Sequence, residues 1–433
     1  MLYKLCVLAL LILAGAGSCR TPTPEIQTTQ YIQTGDAHRE AGEYTAAESD
    51  YLQAQQIDKE DATPALKLAQ LYAVWGRPEE GLNALDEVTR RGGGNRDILR
   101  WRITLLGATG NWEQVQAEAQ AFLQTQGDDA SVLEALTQAY MQVRQCSRAA
   151  EVAERWYVAE PEEARDTWGA LTGAMDALCQ TGSQNCIPDC AENCDLQWGY
   201  RLLRENAWPQ ASCVLERALA KFPDTAEGEA WFGEALARMG YSQEALIHFE
   251  QATSLNPDEP SGWLLLGIHL LRQGDTPAAR EALLQAHKLD PANPATCLAI
   301  AEVKAANSQY DEVKTWIEAA LERAKEDGEI WKSVARFYLE RDFSQDKLPA
   351  RAAEGAVERA PQDAEAQMLL GWIQLTQGNA TGALATLDKA IQLAPEMAQA
   401  HYLRGLALQL TGETEAAEAA FIHAADLGYR IGQ

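Results

Sequence analysis

Nine cysteines are spread through the 433 residues, and four crowd into CQTGSQNCIPDCAENC as Cys179, Cys186, Cys190 and Cys194. Thiolates at this density can hold a soft metal, exchange electrons or close disulfides. The C-x6-C-x3-C-x3-C spacing lacks the C-x2-C knuckles of strong zinc motifs. Cys146 and Cys213 flank the cluster and make an even set of six. An even set points to disulfides wherever a chain has left the reducing cytosol. Metal binding and thiol redox activity stand as the competing chemistries. No other constellation carries chemistry. The six histidines (38, 248, 269, 287, 401, 423) are scattered without HExxH or paired metal spacing, and no GxxxxGK phosphate loop is present. A non-enzymatic protein with no metal and no cofactor is therefore expected. A formal net charge of −27 repels phosphate, so nucleic acid is not an expected partner.

The compartment follows from the first twenty residues, MLYKLCVLALLILAGAGSCR. Lys4 precedes an apolar run from Leu5 to Ala14, too short to span a bilayer and of the length of a signal-peptide core. Two cleavage sites compete. Ala14-Gly15-Ala16 fits ordinary signal peptidase. Ala16-Gly17-Ser18-Cys19 resembles the lipobox of bacterial lipoproteins, with Ala16 where Leu is preferred; it would make Cys19 a lipidated N-terminus. Either site removes Cys6 and exports the body, anchored by lipid to a bacterial membrane on its outward or periplasmic side, or secreted in soluble form. Residues 1–18 are thus assigned to the signal peptide. Residues 19–27, RTPTPEIQ after Cys19, are assigned to an extended tether.

The elements that must position the cysteines are repeats. Pro223, Pro257 and Pro291 are 34 residues apart, as are Gly233 and Gly267, Gly240 and Gly274, Gly371 and Gly405, Gly378 and Gly412. Gly42, Gly76 and Gly110 keep the same step. Within one unit, Trp263, Leu266, Gly267 and Leu270 form a helical apolar face. Gly274 ends that helix, and Asp275, Thr276 and Pro277 suit the start of the next. Ala279, Leu283 and Ala286 give the second helix its apolar face, and Asp290-Pro291 closes the unit.

With Trp263, Leu266-Gly267, Leu270, Ala279, Leu283, Ala286 and Pro291 in sequence, the unit resembles the tetratricopeptide repeat. The neighbouring unit matches through Phe232-Gly233, Leu236, Ala245, Phe249, Ala252 and Pro257. About eleven units fit, starting near 28, 62, 96, 130, 192, 226, 260, 294, 328, 364 and 398, with those at 96, 294 and 328 degenerate. The resemblance implies an all-α fold: a right-handed α-solenoid of antiparallel helix pairs, its concave face lined by first helices, whose usual work is to hold peptides or proteins. It divides the body into an N-terminal array (28–161), an interrupted cysteine-rich repeat (162–191) and a C-terminal array (192–433). In the interrupted repeat a first helix is expected around Thr167–Leu178, with the second missing between Gln180 and Ala191. Disulfides would hold that defect. Equivalent turns of adjacent repeats are neighbours in such an array, which favours Cys146 with Cys179. Cys297 takes a core position and is expected to be a buried free thiol.

On this family's pattern, places 2, 5, 9, 12 and 13 of each unit face the groove. They hold Leu264, Ile268, Leu271 and Arg272, then Met368, Trp372 and Leu375, then Tyr402 and Leu406. These apolar groups either pack on the next repeat or form an apolar peptide groove anchored by Trp372 and Tyr402. Arg204, Arg238 and Arg272 recur at the thirteenth place as a ladder that would meet an anion, or else be solvated or paired with glutamate. Some members of the family clamp a C-terminal carboxylate with groove Lys and Asn. The expected function is a membrane-anchored scaffold that binds protein or peptide and assembles an envelope or secretion complex. A carbohydrate- or wall-binding module, with Trp372 and Tyr402 stacked on sugar rings, is the alternative.

Overall fold

The computed structural model describes residues 24–90, 95–172, 194–341 and 347–429. Among these residues there are 23 helices and no strand: eleven antiparallel pairs and one single helix, Pro161–Thr172. The chain divides into two compact units, residues 1–101 and 102–433.

In the first unit, Pro24–Glu40 pairs with Tyr44–Ile57 and Thr63–Val74 with Pro78–Arg90. Tyr51, Leu68, Leu71, Tyr72 and Trp75 form the core. The Tyr51 hydroxyl donates to Asp36 Oδ1 at 2.7 Å, and Lys67 Nζ meets the same carboxylate at 2.9 Å. The first helix takes in residues 24–27, which the sequence reading had placed in an extended tether. Proline at a helix start loses no needed hydrogen bond, and Glu25 faces the positive helix terminus.

In the second unit each helix packs on its pair partner, and first helices pack on one another in succession. Ala226–Arg238, Pro260–Arg272, Pro294–Ala306, Gly328–Glu340, Ala364–Thr376 and Ala398–Thr411 form that layer. The repeat boundaries follow local chemistry. Gly240 and Gly274 end first helices at φ +88° and +83°, where a Cβ would be strained. Asp275 then caps Thr276–Leu289 by accepting from Ala278 N at 3.1 Å. Three units put other residues at this left-handed place: Arg144, Asn206 and Ser308.

Within a pair, one contact recurs. A small residue in the middle of the first helix faces a large one sixteen residues later in the second. A Cβ built on Gly35 would lie 2.6 Å from Tyr51, one on Gly233 2.9 Å from Phe249, one on Gly267 2.5 Å from Leu283 and one on Gly371 2.6 Å from Leu387. Real Cβ atoms do not approach so closely, so these glycines are holes that their partners fill. Gly199 with Leu215 and Gly405 with Phe421 repeat the pattern.

The helix expected around Thr167–Leu178 begins six residues earlier, at Pro161. The cause is again proline at the first turn, followed by Glu162 and Glu163. Residues 180–191, where the second helix was expected to be missing, lie outside the described residues.

Gly267→Ala tests the hole. Overpacking costs about 1–3 kcal/mol, while replacing a helical glycine by alanine returns about 1 kcal/mol. The expected net is a loss of about 1 kcal/mol in urea unfolding. In the Leu283→Ala background the same substitution should become stabilising, because its methyl enters the vacated volume. A stabilised single variant would show that no close contact exists.

Candidate functional site

Packing the first helices side by side leaves an open cleft of about 590 Å³ on Pro260–Arg272, Pro294–Ala306 and Gly328–Glu340. Its apolar lining includes Ile268, Leu271, Leu298 and Ile330; its charged lining is Arg272, Glu302 and Arg341. Leu264, Ile268 and Leu271 are half-buried, packed against the cluster that holds Ala299, Ile300 and Val303 of the next repeat. The two roles weighed for these residues are thus joined. The side chains cement adjacent repeats with one surface, and Ile268 and Leu271 present another to the cleft.

The arginine ladder is partly spent on the protein itself. Arg238 Nε donates to Glu234 Oε1 at 2.7 Å, and Arg272 lies 3.9 Å from the other oxygen of that carboxylate. Arg204 is exposed. At the far side of the cleft, Arg341 lies 3.5 Å from Glu340 with its guanidinium 4.4 Å above the Phe337 ring. Glu302 stands between, half-buried on the middle of its helix. Burial pushes its carboxyl above the usual range, and the more distant Arg341 and Arg272 only partly oppose this.

The next repeats are more closed. Met368 was expected on the groove, but it is 6% exposed and belongs to the core. The fifth place is also buried one repeat earlier, as Lys332. Its Nζ is held by Asp363 at 2.6 Å and Glu329 at 2.9 Å. Burial lowers the Lys332 pKa, but these carboxylates outweigh it and hold the ammonium charged. Arg336 pairs with Glu365. Trp372, Leu375 and Leu406 are half-buried against the same core. Tyr402 stacks on Tyr429 at 4.4 Å between ring centroids, with Phe421 at 5.5 Å.

The cysteines form a second assembly. Cys146 opens the helix Cys146–Ala159 and is bonded to Cys213, in the middle of Trp208–Lys221, with Cα atoms 5.5 Å apart. This corrects the pairing with Cys179 that equivalent turns suggested. Trp208–Lys221 packs directly on Ala130–Gln142 and on Pro161–Thr172, so the second helix of the later repeat meets Cys146. The turn before Cys146 is fastened too. Tyr241 donates to Gln142 O at 2.9 Å, and Arg144 pairs with Glu216 at 3.5 Å and with Glu244. Cys179, Cys186 and Cys190 lie outside the described residues, as does the Cys194 side chain. Cys297 is a buried free thiol.

Arg217 anchors the two ends of the insertion. It donates to Leu171 O at 2.7 Å and Ala170 O at 2.8 Å, in the last turn of Pro161–Thr172. It also forks onto Asp195 at 2.8 and 3.1 Å. Burial raises the Asp195 pKa, but hydrogen bonds from Arg217 and Lys221 outweigh it and hold the carboxyl below the ordinary range.

Among the described residues no group of three or more His, Cys, Asp and Glu side chains is arranged to hold a metal ion. Among the same residues no helix is long and apolar enough to cross a membrane.

One tetratricopeptide-repeat family model matches residues 232–294, 349–398 and 376–427, and a second matches 270–337. This C-terminal part of the chain is built of tetratricopeptide repeats. Among curated proteins no sequence matches the chain. Similar solved structures include yeast Tom70, 15% identical with a TM-score of 0.42, covering 93% of this chain and 92% of that one. The Cut9-Hcn1 hetero-tetramer of the APC/C is 14% identical with a TM-score of 0.42, covering 94% and 90%. YrrB, a TPR protein with an unusual peptide-binding site, is 18% identical with a TM-score of 0.31, covering 43% of this chain and 95% of that one.

Non-reducing peptide mapping is expected to recover the Cys146 peptide linked to the Cys213 peptide; a link to Cys179 would refute the pairing. With the joined positions 67 apart in sequence, removing the bond as Cys146→Ser/Cys213→Ser is expected to cost up to about 4 kcal/mol in urea unfolding.

Proposed function

We propose that the chain is a non-enzymatic scaffold whose first-helix cleft, at residues 260–341, docks a protein or peptide partner. The single observation that carries this reading is the cleft itself. Three successive first helices set half-buried Ile268 and Leu271 and buried Leu298 and Ile330 around about 590 Å³, with charged groups among them. That combination of an apolar lining with a few placed polar groups is what a peptide site needs. The tetratricopeptide repeats matched over the same residues support it. Protein partners are favoured over sugar because the aromatic pair first considered for ring stacking is engaged internally, Tyr402 on Tyr429 and Trp372 on the core.

Photo-cross-linking tests the cleft. The full chain carries a cross-linker at Ser333, which lines the cleft, and is compared with the same chain bearing Ile268→Gln/Leu271→Gln. The substituted chain is expected to lose at least about fivefold of its captured partner, the weight of a buried apolar contact, with both chains assayed far below their urea midpoints and equal in helical content; the midpoint itself should fall, because Ile268 and Leu271 also pack on the next repeat. Equal capture by both chains would end the reading.

The same proposal places the scaffold outside the cytosol, held to a membrane by lipid on Cys19, where it assembles an envelope or secretion complex. The support is the charged, apolar and small-residue order of residues 1–19 and the disulfide between Cys146 and Cys213, a bond that lasts in oxidising compartments. Mass spectrometry of the mature protein is expected to find Cys19 as a diacylglyceryl-modified N-terminus. An unmodified chain starting at Gly17 would assign ordinary signal-peptidase cleavage and a soluble product.

A further inference from the structure

We propose that Glu302 makes the cleft a receptor for a cationic side chain, so that the docked segment presents a lysine or arginine flanked by aliphatic residues. The inference rests on the reading of the cleft as a docking surface and adds the chemistry of its occupant.

The charged groups of the cleft differ in how directly they are partnered. Arg272 has Glu234 at 3.9 Å, a carboxylate it shares with Arg238, and Arg341 has Glu340 at 3.5 Å and the face of Phe337. Glu302 lies between them, and no hydrogen bond or ion pair reaches its carboxylate among the described residues. The one charged group of the lining without a direct partner is negative.

Its surroundings add to the cost of leaving it so. Ala295, Leu298, Ala299 and Ala306 of its own helix, with Ile268 and Leu271 of the preceding one, replace much of the water a surface glutamate would keep. A half-buried carboxylate without a hydrogen-bond partner carries a desolvation penalty, which the charges of Arg341 and Arg272 offset only in part. An arriving ammonium or guanidinium removes that penalty through a charge-assisted hydrogen bond, while its methylene stem lies along the leucines and isoleucines. An arriving carboxylate would meet Glu302, Glu234 and Glu340 at once. The wider field acts in the same sense: with 63 acidic against 36 basic residues, the chain attracts basic segments from a distance.

The ninth place of each repeat explains why the site falls here. It holds Glu234 in the repeat before the cleft and Arg336 on the last of the cleft's three helices, and both are paired, with Arg238 and Glu365 respectively. Ile268 and Glu302 occupy the two ninth places between them. One supplies apolar surface and the other an unpaired charge, on adjacent helices and in one cleft.

Three pools of N-acetylated, amidated octapeptides test this. Leu, Ile and Ala are randomised around a fixed central residue that is Lys, Gln or Glu, and each fluorescent pool is titrated with the full chain. The Lys pool is expected to bind about tenfold more tightly than the Gln pool, the weight of one charge-assisted hydrogen bond, and the margin should shrink with salt. Glu302→Gln should erase the margin while leaving Gln-pool binding unchanged, and Glu302→Lys should make the Glu pool the tightest. Preference of the wild type for the Glu pool, equal binding of all pools, or a Lys margin that survives Glu302→Gln would overturn the inference. If no pool binds while the Ser333 cross-link still captures a partner that Ile268→Gln/Leu271→Gln loses, the inference fails and the docking surface stands. If neither is seen, both fail.

Discussion

A helix pair closes only where one helix offers a hole and the other fills it. In this chain the hole and its filler are sixteen residues apart, one mid-way along each helix. Glycine in a helix interior costs about 1 kcal/mol relative to alanine, yet it stands at the hole of six described pairs. What offsets the cost is the approach it permits, with Tyr51, Leu215, Phe249, Leu283, Leu387 or Phe421 set against the backbone of the partner helix. Where glycine is absent the pair still balances its volumes. Ala69 precedes Leu85 and Ala301 precedes Ile317 by the same sixteen residues, and Ile103 before Ala119 reverses the order. All six are buried. The pair beginning at Gly328 has alanine at both places, Ala335 and Ala353, and compensates elsewhere: Trp331 lies against Gly355, with the hole now on the second helix. The degenerate units are therefore repacked rather than loosened.

That constraint acts inside a pair and is silent about how successive repeats are joined across an interruption. Between the single helix Pro161–Thr172 and the pair that begins at Cys194, no helix pair among the described residues carries the array forward. Other interactions take over the joining. Arg217 donates to two last-turn carbonyls of the single helix and holds Asp195 of the following pair with the same guanidinium. Arg144 occupies the left-handed turn position that glycine holds in most units, at φ 57°. Such a conformation costs a non-glycine residue about 1 kcal/mol or more. Its guanidinium pairs with Glu216 and Glu244, so a glycine there would relieve the backbone and forfeit both ion pairs. The disulfide from Cys146 to Cys213 closes the same patch covalently.

The sequence made the pairs legible because their determinants are local and periodic. Gly274, Asp275 and Pro277 each fix one dihedral or one hydrogen bond within a few residues, and their 34-residue recurrence exposes the unit. The cysteine pairing was not legible for the opposite reason. It was inferred from the rule that equivalent turns of consecutive repeats adjoin, and that rule assumes every repeat has two helices. At the interruption the turn at Gln142–Arg144 adjoins Tyr241 and Glu244, in the repeat beginning at 226, and the intervening repeat presents the flank of its second helix instead. Met368 failed differently. A position number predicts direction from an ideal helix and not what the next repeat covers: Lys332 is paired with Glu329, Asp363 and Glu365, the last two at the start of Ala364–Thr376, and Met368 of that helix lies in the core.

Glu302 sits at the meeting of these two kinds of determinant. Its place in the repeat was readable, since the ninth position is groove-facing by the same period that locates Ile268 and Trp372. What concealed it is that its unit departs from the repeat pattern at the core positions, with Cys297 and Ala301 where a large residue and glycine are usual. A degenerate core signals altered packing between helices, and it carries no information about the face turned away from that packing. The hole and its filler close each pair whatever stands at the ninth place, which packs on a core cluster as Ile268, Trp372 or Leu406 and is charged as Glu302. Along the C-terminal array that place runs Tyr200, Glu234, Ile268, Glu302, Arg336, Trp372 and Leu406, without the repetition seen at the sixteen-residue contact. Recognition in such an array is therefore written where the repeats differ, on a layer whose geometry is set where they agree.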